Sequence, residues 1–437
     1  MGSQGWRGTA RTAVVALALI LVIITSSARH GVVATDEAYE KLKVFTEVLT
    51  LIQANYTEEV NSKDLVYGAI RGMLETLDPH SAFMPPEVYR EMQVETQGSF
   101  GGLGIEITVR DRQLTVVAPI EGTPADRAGI LAGDRIVKIN GEPTKDMTLF
   151  EAVRKLRGPR GSQVTITIMR EGFTESKDFA ITRETIEVHS VRSFDLGDGI
   201  GYIRMASFQE KTARDLERTL EQFQTGGVKA MVLDLRNNPG GLLSQAVQVA
   251  DFFLQKGQLI VYTEGRARNQ DLRFSAEHTK TLPQVPMVIL VNGGSASASE
   301  IVAGALQDHR RAVILGTTTF GKGSVQTVIP LNDGSGLRLT TAKYFTPRGE
   351  TIQGKGITPD IQVEPPKPTV TAQTPPRPEG GAPPRERKIG EEEGDASQPL
   401  GPRAPDLKTD VQLARAVDIL KANLILDRGG ASAQGAQ

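Results

Sequence analysis

The sequence predicts a multidomain α/β protein, and three observations carry this prediction. At 437 residues, 39% of them hydrophobic, the chain exceeds the length that one hydrophobic core usually supports. Residues 36–92 show helical spacing of apolar positions, and residues 97–185 are rich in glycine and β-branched residues. From about residue 200, buried strands alternate with helices, which is typical of a largely parallel sheet covered by helices.

Charge and cysteine content exclude several classes of function. The formal net charge is −2, so the chain lacks the broad positive field that nucleic acids require, and we expect no nucleic-acid partner. Cysteine is absent, which excludes disulfides, thiolate nucleophiles and Cys-ligated zinc.

Residues 1–34 are predicted to be a signal peptide or a membrane anchor. Arg7 and Arg11 precede an uncharged stretch whose apolar centre, AVVALALILVII, has the length of a signal-peptide core, about 7 to 15 residues. The whole uncharged stretch only just reaches the minimum of about 17 residues for a spanning helix. Cleaved and anchored forms stay open, with the anchor favoured. We expect the remaining chain to work in a bacterial periplasm or at the cell surface, anchored in the inner membrane by this segment.

Residues 35–96 are predicted to form a helical cap or dimerisation region, so we expect a homo-oligomer. Its helical spacing is interrupted near Asn61 and Ser62, either of which suits an N-cap. The stretch DPHSAFMPPEVY, which contains His80, ends the helical pattern with turn residues and a proline pair. Nothing in this region has the pattern of a reactive site, and His80 is assigned to the helical arm.

Residues 97–185 are predicted to form a small β-barrel with two helices, since short alternating strands surround two helical stretches. GLGI at 102–105 and PADRAGILAGDRIVKING resemble a PDZ domain. Glycines around Leu103 let backbone N–H groups converge on an anion, and a neighbouring strand edge can accept an extended peptide. The resemblance implies that Leu103, Gly104 and Ile105 bind a free C-terminus with an apolar last residue. A glycine-rich hairpin without a ligand is the alternative.

Residues 186–364 are predicted to form the α/β core. Ligands of such sheets gather at the carboxyl ends of the strands, where NNPGG (237–241) and NGGSAS (292–297) both lie. GGSASASE at 293–300 places three serines at a strand-to-helix junction. If the junction is extended, Ser295 and Ser299 project to one side and Ser297 to the other, with Ser295 suited to N-capping. Spacing alone leaves open whether all three serines only cap the helix.

A nucleophilic serine also needs a base. His309 is twelve residues after Ser297, about 18 Å along a helix, and is therefore poorly placed. His278 is predicted to be a surface loop residue. Lys322, between two glycines, could act as a base if burial or positive charge lowered its pKa, and Gln326 four residues later could orient it. A straight strand would separate Lys322 and Gln326 by about 13 Å, so the pattern also fits a surface lysine in a glycine-rich turn.

The chain from about 36 to 362 resembles the C-terminal processing peptidases, or tail-specific proteases. The resemblance rests on LDLRNNPGGLL (233–243), GSASASEIVAGALQD (294–308), GTTTFGKGSVQ (316–326) and KGITPDI (355–361). It implies a crotonase-like (ClpP/crotonase) α/β protease core with an inserted PDZ β-barrel domain and an N-terminal helical arm. It also implies that Ser297 is the nucleophile, Lys322 its general base and Gln326 the residue that orients the lysine.

By the same resemblance, the N–H groups of Ala298 and of a glycine in NPGG, with Gly241 favoured over Gly240, form the oxyanion hole. The reaction implied is acyl transfer without metal or cofactor, on exported, unfolded proteins with apolar C-terminal tails. An adaptor lipoprotein is a further expected partner, and Arg154 or Arg157 is a candidate sensor of the bound tail. A peptide-binding module with a dead site and an acyl-CoA enzyme are the alternatives.

The remaining residues carry less information. Residues 365–405 are dense in proline, glycine and charge, which predicts a disordered linker. Residues 406–428 have apolar positions at helical spacing, which predicts a helix that docks onto the body of the protein or onto a second subunit.

Overall fold

The computed structural model describes residues 36–110, 112–278, 285–365 and 405–434. The chain divides into two units, residues 1–77 and residues 78–437. The predicted signal peptide or anchor and nearly all of the predicted linker lie outside the described residues. Within the described ranges, no helix is both long and apolar enough to cross a membrane.

The first unit contributes two helices, α1 (Asp36–Asn55) and α2 (Ser62–Glu75). Asn61 is the N-cap of α2, because its side chain accepts a hydrogen bond from the backbone N–H of Lys63 at 2.9 Å. Large apolar side chains of α1, such as Tyr39 and Leu42, are exposed. Such a face is suited to a partner, and the dimerisation role of this region stays a prediction.

The second unit begins with a turn at residues 78–81 and continues into the segment that resembles a PDZ domain. Its elements are β1 (Ala82–Met84), α3 (Pro86–Gln97), β2 (Ser99–Gly102), β3 (Ile105–Arg110), β4 (Gln113–Pro119), α4 (Pro124–Arg127), β5 (Arg135–Ile139), β6 (Glu142–Pro143), α5 (Leu149–Leu156), β7 (Gln163–Met169), β8 (Lys177–Thr182) and β9 (Glu184–Glu187). Strands β3, β4, β5, β7 and β8 form one sheet in that order, with β6 beside β5. Strand β3 lies at the edge of this sheet, next to α5. Both helices predicted in this segment are present.

The core follows with a mixed sheet and its covering helices. The elements are β10 (Val191–Asp195), β11 (Ile200–Met205), α6 (Thr212–Thr225), β12 (Ala230–Asp234), α7 (Leu243–Asp251), β13 (Leu259–Gly265), a 3₁₀ turn (Arg268–Gln270), β14 (Arg273–Ser275), β15 (Met287–Val291), α8 (Ala298–Asp308), β16 (Val313–Gly316), β17 (Ser324–Pro330), β18 (Gly336–Phe345), β19 (Ile361–Gln362) and α9 (Val411–Gln434). The main sheet has the order β10-β11-β12-β15-β16-β19, and all its pairs except β10 with β11 are parallel.

Both faces of this sheet are buried, which explains why β12 and β15 are apolar at nearly every position. Helices α6, α7 and α8 pack on one face. The closing helix α9 packs on the other through Leu413, Ala416, Val417 and Leu420. The helix therefore docks onto the body of the protein, one of the two predicted positions.

An ion-pair network holds the start of α9. The Arg236 guanidinium lies 2.6 Å from Asp410 at the start of α9 and 2.6 Å from the buried Asp234 of β12. Arg204 adds a contact of 2.8 Å to the same aspartate. Arg236 immediately precedes the NNPGG segment, so the C-terminal helix braces the strand end from which that segment leaves.

A second sheet, with the order β1-β18-β13-β14 and β17 paired to β18, extends from the core. In it, β1 pairs with β18, which attaches the segment just after the 78–81 turn to the core. The ladder between β17 and β18 has an irregularity between Val325 and Gln326. Gln326 lies on β17 of this second sheet, which places it beside the main sheet.

Candidate active site

Two loops meet at the carboxyl edge of the main sheet, because the strands that precede them, β12 and β15, are adjacent and parallel. Asn237 and Asn292 join them: the Asn292 side chain donates to Asn237 Oδ1 at 2.8 Å and accepts from the Asn237 backbone N–H at 2.8 Å. The NNPGG and NGGSAS segments are therefore in direct contact, as strand order requires.

The three serines of GGSASASE differ in what their hydroxyls do. Ser295 Oγ donates to the Leu235 carbonyl at 2.8 Å, and Ser299 Oγ donates to the Asn238 carbonyl at 2.9 Å. Both residues are fully buried. Ser297 is 9% exposed, and its hydroxyl donates to no carbonyl or carboxylate among the described residues. The outer serines thus tie the two loops together, and the middle hydroxyl takes no part in this contact.

Ser297 begins the helix, and the expected extended junction with Ser295 as N-cap is wrong. Helix α8 starts at Ala298, so Ser297 is its N-cap, with φ 53° and ψ −110°. A positive φ is uncommon for a residue with a Cβ and costs about 1 to 3 kcal/mol. The surrounding hydrogen bonds hold this turn and place the Ser297 side chain beside the first free N–H groups of α8.

Gly240 and Gly241 lie against this turn, with φ 101° and 144°. A Cβ on Gly240 would lie 2.9 Å from both the Cβ of Ser297 and the backbone nitrogen of Ala298, so only glycine allows the approach. The Gly240 N–H donates to Asn238 Oδ1 at 2.9 Å. The N–H groups of Gly241 and Ala298, in contrast, have no acceptor among the described residues.

Glu300 connects the serine to the lysine, and the sequence reasoning missed it. Its fully buried carboxylate accepts from the Ser297 N–H at 2.7 Å and the Lys322 N–H at 2.9 Å on one oxygen. The other oxygen accepts from the Gly321 N–H at 2.7 Å and from the Thr319 hydroxyl. The backbone nitrogens of Ser297 and Lys322 are thus less than about 6 Å apart. Ser297 and Glu300 have the Ser-x-x-Glu spacing of a capping box, and this pattern could have identified Glu300.

The pKa of Lys322 is lowered. Burial is the largest cause, because it disfavours the charged amine, and the positive charge of Arg338 adds to it, while the carboxylate of Glu300 acts in the opposite direction. The amine makes no hydrogen bond to a side chain or carbonyl of the described part of the chain. A lysine in this environment loses its proton more readily than one on the surface, as a general base must.

Gln326 lies on β17, whereas Lys322 precedes that strand, so the straight-strand separation does not apply. The Gln326 amide donates through Nε2 to Thr340 Oγ1 at 2.9 Å and Ser324 Oγ at 3.2 Å. Its Oε1 atom is buried and has no hydrogen-bond donor among the described residues. The structure therefore shows no contact between Gln326 and Lys322. The Gln326 Oε1 acceptor and the Lys322 amine nevertheless both lack a hydrogen-bond partner among the described residues, and they lie in the same segment.

The described histidines are placed differently from one another. His309 Nε2 contacts the Leu259 carbonyl at 2.7 Å, and the His278 ring packs edge-on against Phe252. His80, which the sequence analysis placed in the helical arm, belongs instead to the 78–81 turn of the second unit. Burial lowers its pKa first, and the positive charge of Lys322 lowers it further, so His80 lies near the lysine.

Tyr344 is a further residue of the site that the sequence reasoning missed. It lies on β18, is almost fully buried, and its hydroxyl is close to the Ser297 side chain. Burial raises the pKa of Tyr344 to about 12, although the interaction with Ser297 acts in the opposite direction. The phenol therefore stays protonated beside this serine at physiological pH and can donate or accept a hydrogen bond there.

Leu103 and Gly104 form the loop between β2 and β3, and Ile105 is the first residue of β3, the edge strand of the first sheet. The N–H groups of Leu103 and Gly104 have no acceptor in the described ranges, whereas both carbonyls accept hydrogen bonds. The Leu103 side chain is buried, so this residue offers only its backbone. A cavity of about 80 Å³ adjoins the loop and is also lined by Val153 and Leu156 of α5.

Comparisons with known proteins identify the chain's family. The model of peptidase family S41 matches residues 199–363, a PDZ domain model matches residues 115–170, and the model of the activating protease CtpB N-terminal domain matches residues 24–88. The carboxy-terminal-processing protease of Bartonella bacilliformis is 46% identical over 402 residues, which cover 89% of this chain and 90% of that protein.

Two other similar proteins have related names. The carboxy-terminal processing protease CtpA of Bacillus subtilis is 38% identical over 354 residues, 81% of this chain and 75% of that protein. The solved structure of a photosystem II D1 C-terminal processing protease has 33% identity and a TM-score of 0.44, covering 73% of this chain and 92% of that one. Because it is 46% identical to the Bartonella bacilliformis protease over 89% of its length, the chain belongs to the carboxy-terminal-processing proteases of peptidase family S41.

Proposed function

We propose that this chain is a serine endopeptidase that uses a Ser297–Lys322 dyad to cleave exported proteins near unstructured, apolar C-termini. The observation that carries the proposal is the single oxygen of Glu300 that holds the backbone N–H groups of both Ser297 and Lys322. This shared acceptor fixes the serine turn and the lysine loop against each other. The core would then correspond to the crotonase-like arrangement that the resemblance implies.

The reaction is acyl transfer in two steps. The neutral Lys322 amine takes the proton of Ser297 Oγ, and the oxygen attacks the carbonyl carbon of the scissile peptide. The C–N bond then breaks, the leaving amine takes the proton from the Lys322 ammonium, and an ester to Ser297 remains. A water molecule, deprotonated by Lys322, hydrolyses this ester and releases Ser297. No metal or cofactor enters these steps.

The negative charge of the tetrahedral intermediate needs donors that are already in place. The N–H groups of Gly241 and Ala298 suit this role, since both are unused, Ala298 directly follows Ser297, and Gly241 directly follows Gly240, which lies against the Ser297 turn. Gly240 is less suited, because its N–H already donates to Asn238. Gly240 instead provides the space that lets the two loops meet.

The PDZ domain would bind the substrate's C-terminal carboxylate. The free N–H groups of Leu103 and Gly104 are donors for the carboxylate, and the edge of β3 next to Ile105 can pair with an extended tail. The small cavity beside the loop fits an apolar last side chain. The same proposal includes export through residues 1–34, anchoring in the inner membrane, and work in the periplasm or at the cell surface. It also includes an adaptor lipoprotein as a partner and a homo-oligomeric state.

An unfolded reporter protein tests this function. We expect the purified chain to cleave a reporter with an apolar C-terminal tail at least about ten times faster than the same reporter with a C-terminal amide, since the amide removes the carboxylate. The Ser297→Ala variant, checked for an unchanged circular dichroism spectrum, should not cleave either reporter. Equal cleavage by the wild type and Ser297→Ala would refute the assignment of the nucleophile, and equal rates on both tails would refute the carboxylate site.

Gly240→Ala is expected to lower kcat by about 100-fold, because the added methyl group would push the NPGG turn and its oxyanion donor away from Ser297. Gly293→Ala is the matched control: Gly293 lies in the neighbouring loop, and a Cβ there would meet no atom within 4 Å. Steady-state kinetics on one reporter compares the two variants. Similar kcat values for both would contradict the proposed role of the turn.

A further inference from the structure

The turn at residues 78–81, DPHS, is built around the Asp78 carboxylate. Asp78 Oδ1 accepts from the N–H groups of His80 at 2.8 Å and Ser81 at 2.9 Å, and Oδ2 accepts from the Ser81 hydroxyl at 2.8 Å. One further donor comes from far along the chain: Thr340 Oγ1 donates to Asp78 Oδ1 at 3.1 Å. The turn therefore contacts β18, at the residue that faces Gln326.

Thr340 links this turn to Gln326. The two residues are directly opposite each other in the β17–β18 ladder, and Gln326 Nε2 donates to Thr340 Oγ1 at 2.9 Å. A threonine hydroxyl has one proton, and here that proton goes to Asp78. The Thr340 oxygen must then act as acceptor toward Gln326, which requires the NH₂ group of the amide and not its oxygen to face Thr340.

The negative charge of Asp78 fixes the direction of the hydrogen bonds from Thr340 to Asp78 and from Gln326 to Thr340. Burial, the largest single effect, raises the pKa of Asp78, but the hydrogen bonds from Ser81, His80 and Thr340 together outweigh it and leave the pKa below its usual range. An ionised carboxylate is only an acceptor. Reversing the Gln326 amide would leave its oxygen facing a hydroxyl whose proton is already committed to Asp78.

These hydrogen bonds fix the position of the Gln326 side-chain oxygen. With the NH₂ group held by Thr340 and Ser324, Oε1 is buried and has no donor among the described residues. A buried acceptor without a donor is rare in folded proteins, and a partner that binds during function is one explanation for it. Lys322, four residues earlier, has an amine that makes no hydrogen bond among the described residues, which makes it a candidate donor to this oxygen.

The surroundings of the Lys322 amine are consistent with that partner. Arg338 acts on Lys322 through its positive charge, and Arg338 is two residues from Thr340 on β18, so their side chains share one face of the strand. Arg338 also donates to the His80 carbonyl at 3.1 Å, which brings the same turn to this face. Arg338, whose charge acts on Lys322, and the Gln326 amide are thus on the side of β18 that the DPHS turn covers.

We propose that Asp78 and Thr340 are positioning residues: through the chain Asp78–Thr340–Gln326 they hold the Gln326 oxygen ready to accept a hydrogen bond from Lys322 Nζ and so direct this amine toward Ser297. The inference rests on the proposed Ser297–Lys322 dyad. Neither residue touches the substrate or the reacting atoms. Their effect passes through the orientation of one side-chain amide.

Thr340→Val tests this proposal, because valine keeps the shape of threonine and removes the hydroxyl. We expect kcat to fall about 10- to 100-fold with little change in KM, since the lysine is no longer aimed at the serine. An acceptor beside the ammonium raises the pKa of a lysine, so its loss should also move the rising limb of the pH–kcat profile to lower pH, by about half a unit or more.

Two control variants accompany this measurement. Thr340→Ser restores the hydroxyl and should recover most of kcat and the original pH profile. Thr341→Val removes the neighbouring hydroxyl, which pairs with Thr327 on the outer side of the ladder at 2.7 Å, and should leave kcat and the pH profile unchanged. Asp78→Asn removes the charge that orders the chain, and should shift the pH profile in the same direction as Thr340→Val.

The outcomes distinguish a failure of the positioning proposal from a failure of the Ser297–Lys322 dyad. Ser297→Ala and Lys322→Ala are assayed beside these variants. If those two are inactive while Thr340→Val matches Thr341→Val in kcat and pH midpoint, the positioning proposal fails alone. A loss of kcat in Thr340→Val together with a lower Tm but an unmoved pH midpoint would show a merely structural role and also overturn it. If Thr340→Val does not fold, an unmoved pH midpoint in Asp78→Asn decides against it.

Discussion

Lys322→Ala is expected to lower kcat/KM by at least about 10³-fold while changing the Tm by no more than a few degrees. The variant removes the only group near Ser297 that we propose as the general base, and such groups contribute about 10² to 10⁴ to the rate. The backbone N–H of residue 322 still donates to Glu300 in the variant, so the loop should keep its place. Steady-state kinetics on an unfolded reporter and a thermal melt check both parts.

The pH dependence of the wild type belongs to the same prediction. Lys322 accepts a proton only when neutral, so kcat/KM should rise with pH through the pKa of this amine. Burial and the charge of Arg338 lower that pKa more than Glu300 raises it, so the rise should be complete at a lower pH than for a free lysine, whose pKa is about 10.4.

Lys343→Ala is the matched control for Lys322→Ala. Lys343 is exposed, and it lies opposite Ser324 in the β17–β18 ladder, so its removal deletes an amine near the site but outside it. It should keep the activity of the wild type. Substantial turnover by Lys322→Ala, with a rising limb at or below about pH 6.5, would instead assign the base to His80.

Glu300→Gln is expected to reduce both activity and stability, although the two side chains have nearly the same shape. The carboxylate accepts four hydrogen bonds, from the N–H groups of Ser297, Gly321 and Lys322 and from the Thr319 hydroxyl. A glutamine must turn an NH₂ group toward one pair of these donors, so at least one buried N–H loses its acceptor. Each such loss costs about 1 to 3 kcal/mol.

The effect on activity should be larger than the effect on stability suggests. When one side of the Glu300 contact is lost, the Ser297 turn and the Lys322 loop are no longer held against each other, and small misplacements of reacting groups can lower rates about 100-fold. Glu221→Gln, at an exposed position on α6, is the control for the loss of one negative charge. Chemical denaturation and kinetics should distinguish the two variants. Equal stability and equal kcat would refute the role given to Glu300.

Several parts of the fold were predictable because their signals are local. Apolar runs such as PMVILVN, separated by helical stretches, predicted a largely parallel sheet with NNPGG and NGGSAS at the carboxyl ends of its strands, and the pairing of β12 with β15 agrees with this prediction. Both helices of the PDZ segment and the closing helix were also recognisable from short-range spacing. The length of the matching motifs identified the family, since spacing alone left open whether all three serines only cap the helix.

Other parts depended on contacts with no local signal. The expectation that Ser295 caps the helix was wrong, because both Ser295 and Ser299 find carbonyl acceptors on the neighbouring loop, at Leu235 and Asn238, about 60 residues away. His80 was assigned to the turn that ends the helical arm, but no pattern indicated that the Asp78 carboxylate closes this turn or that Thr340 binds it from 262 residues away. No periodicity in a sequence encodes such pairs.

The amino-acid sequence by itself determined which strands are buried, where the glycine-rich turns fall and which hydroxyl and amine belong to the family's motifs. These follow from composition and spacing over a few residues. Packing of distant segments decided which serine hydroxyls bond to carbonyls and which glycine N–H is unused. It also joined Ser297 to Lys322 through one oxygen of Glu300. The physical reason is that hydrogen-bond donors and acceptors are assigned to each other only when distant segments pack, and burial then makes each assignment costly to change.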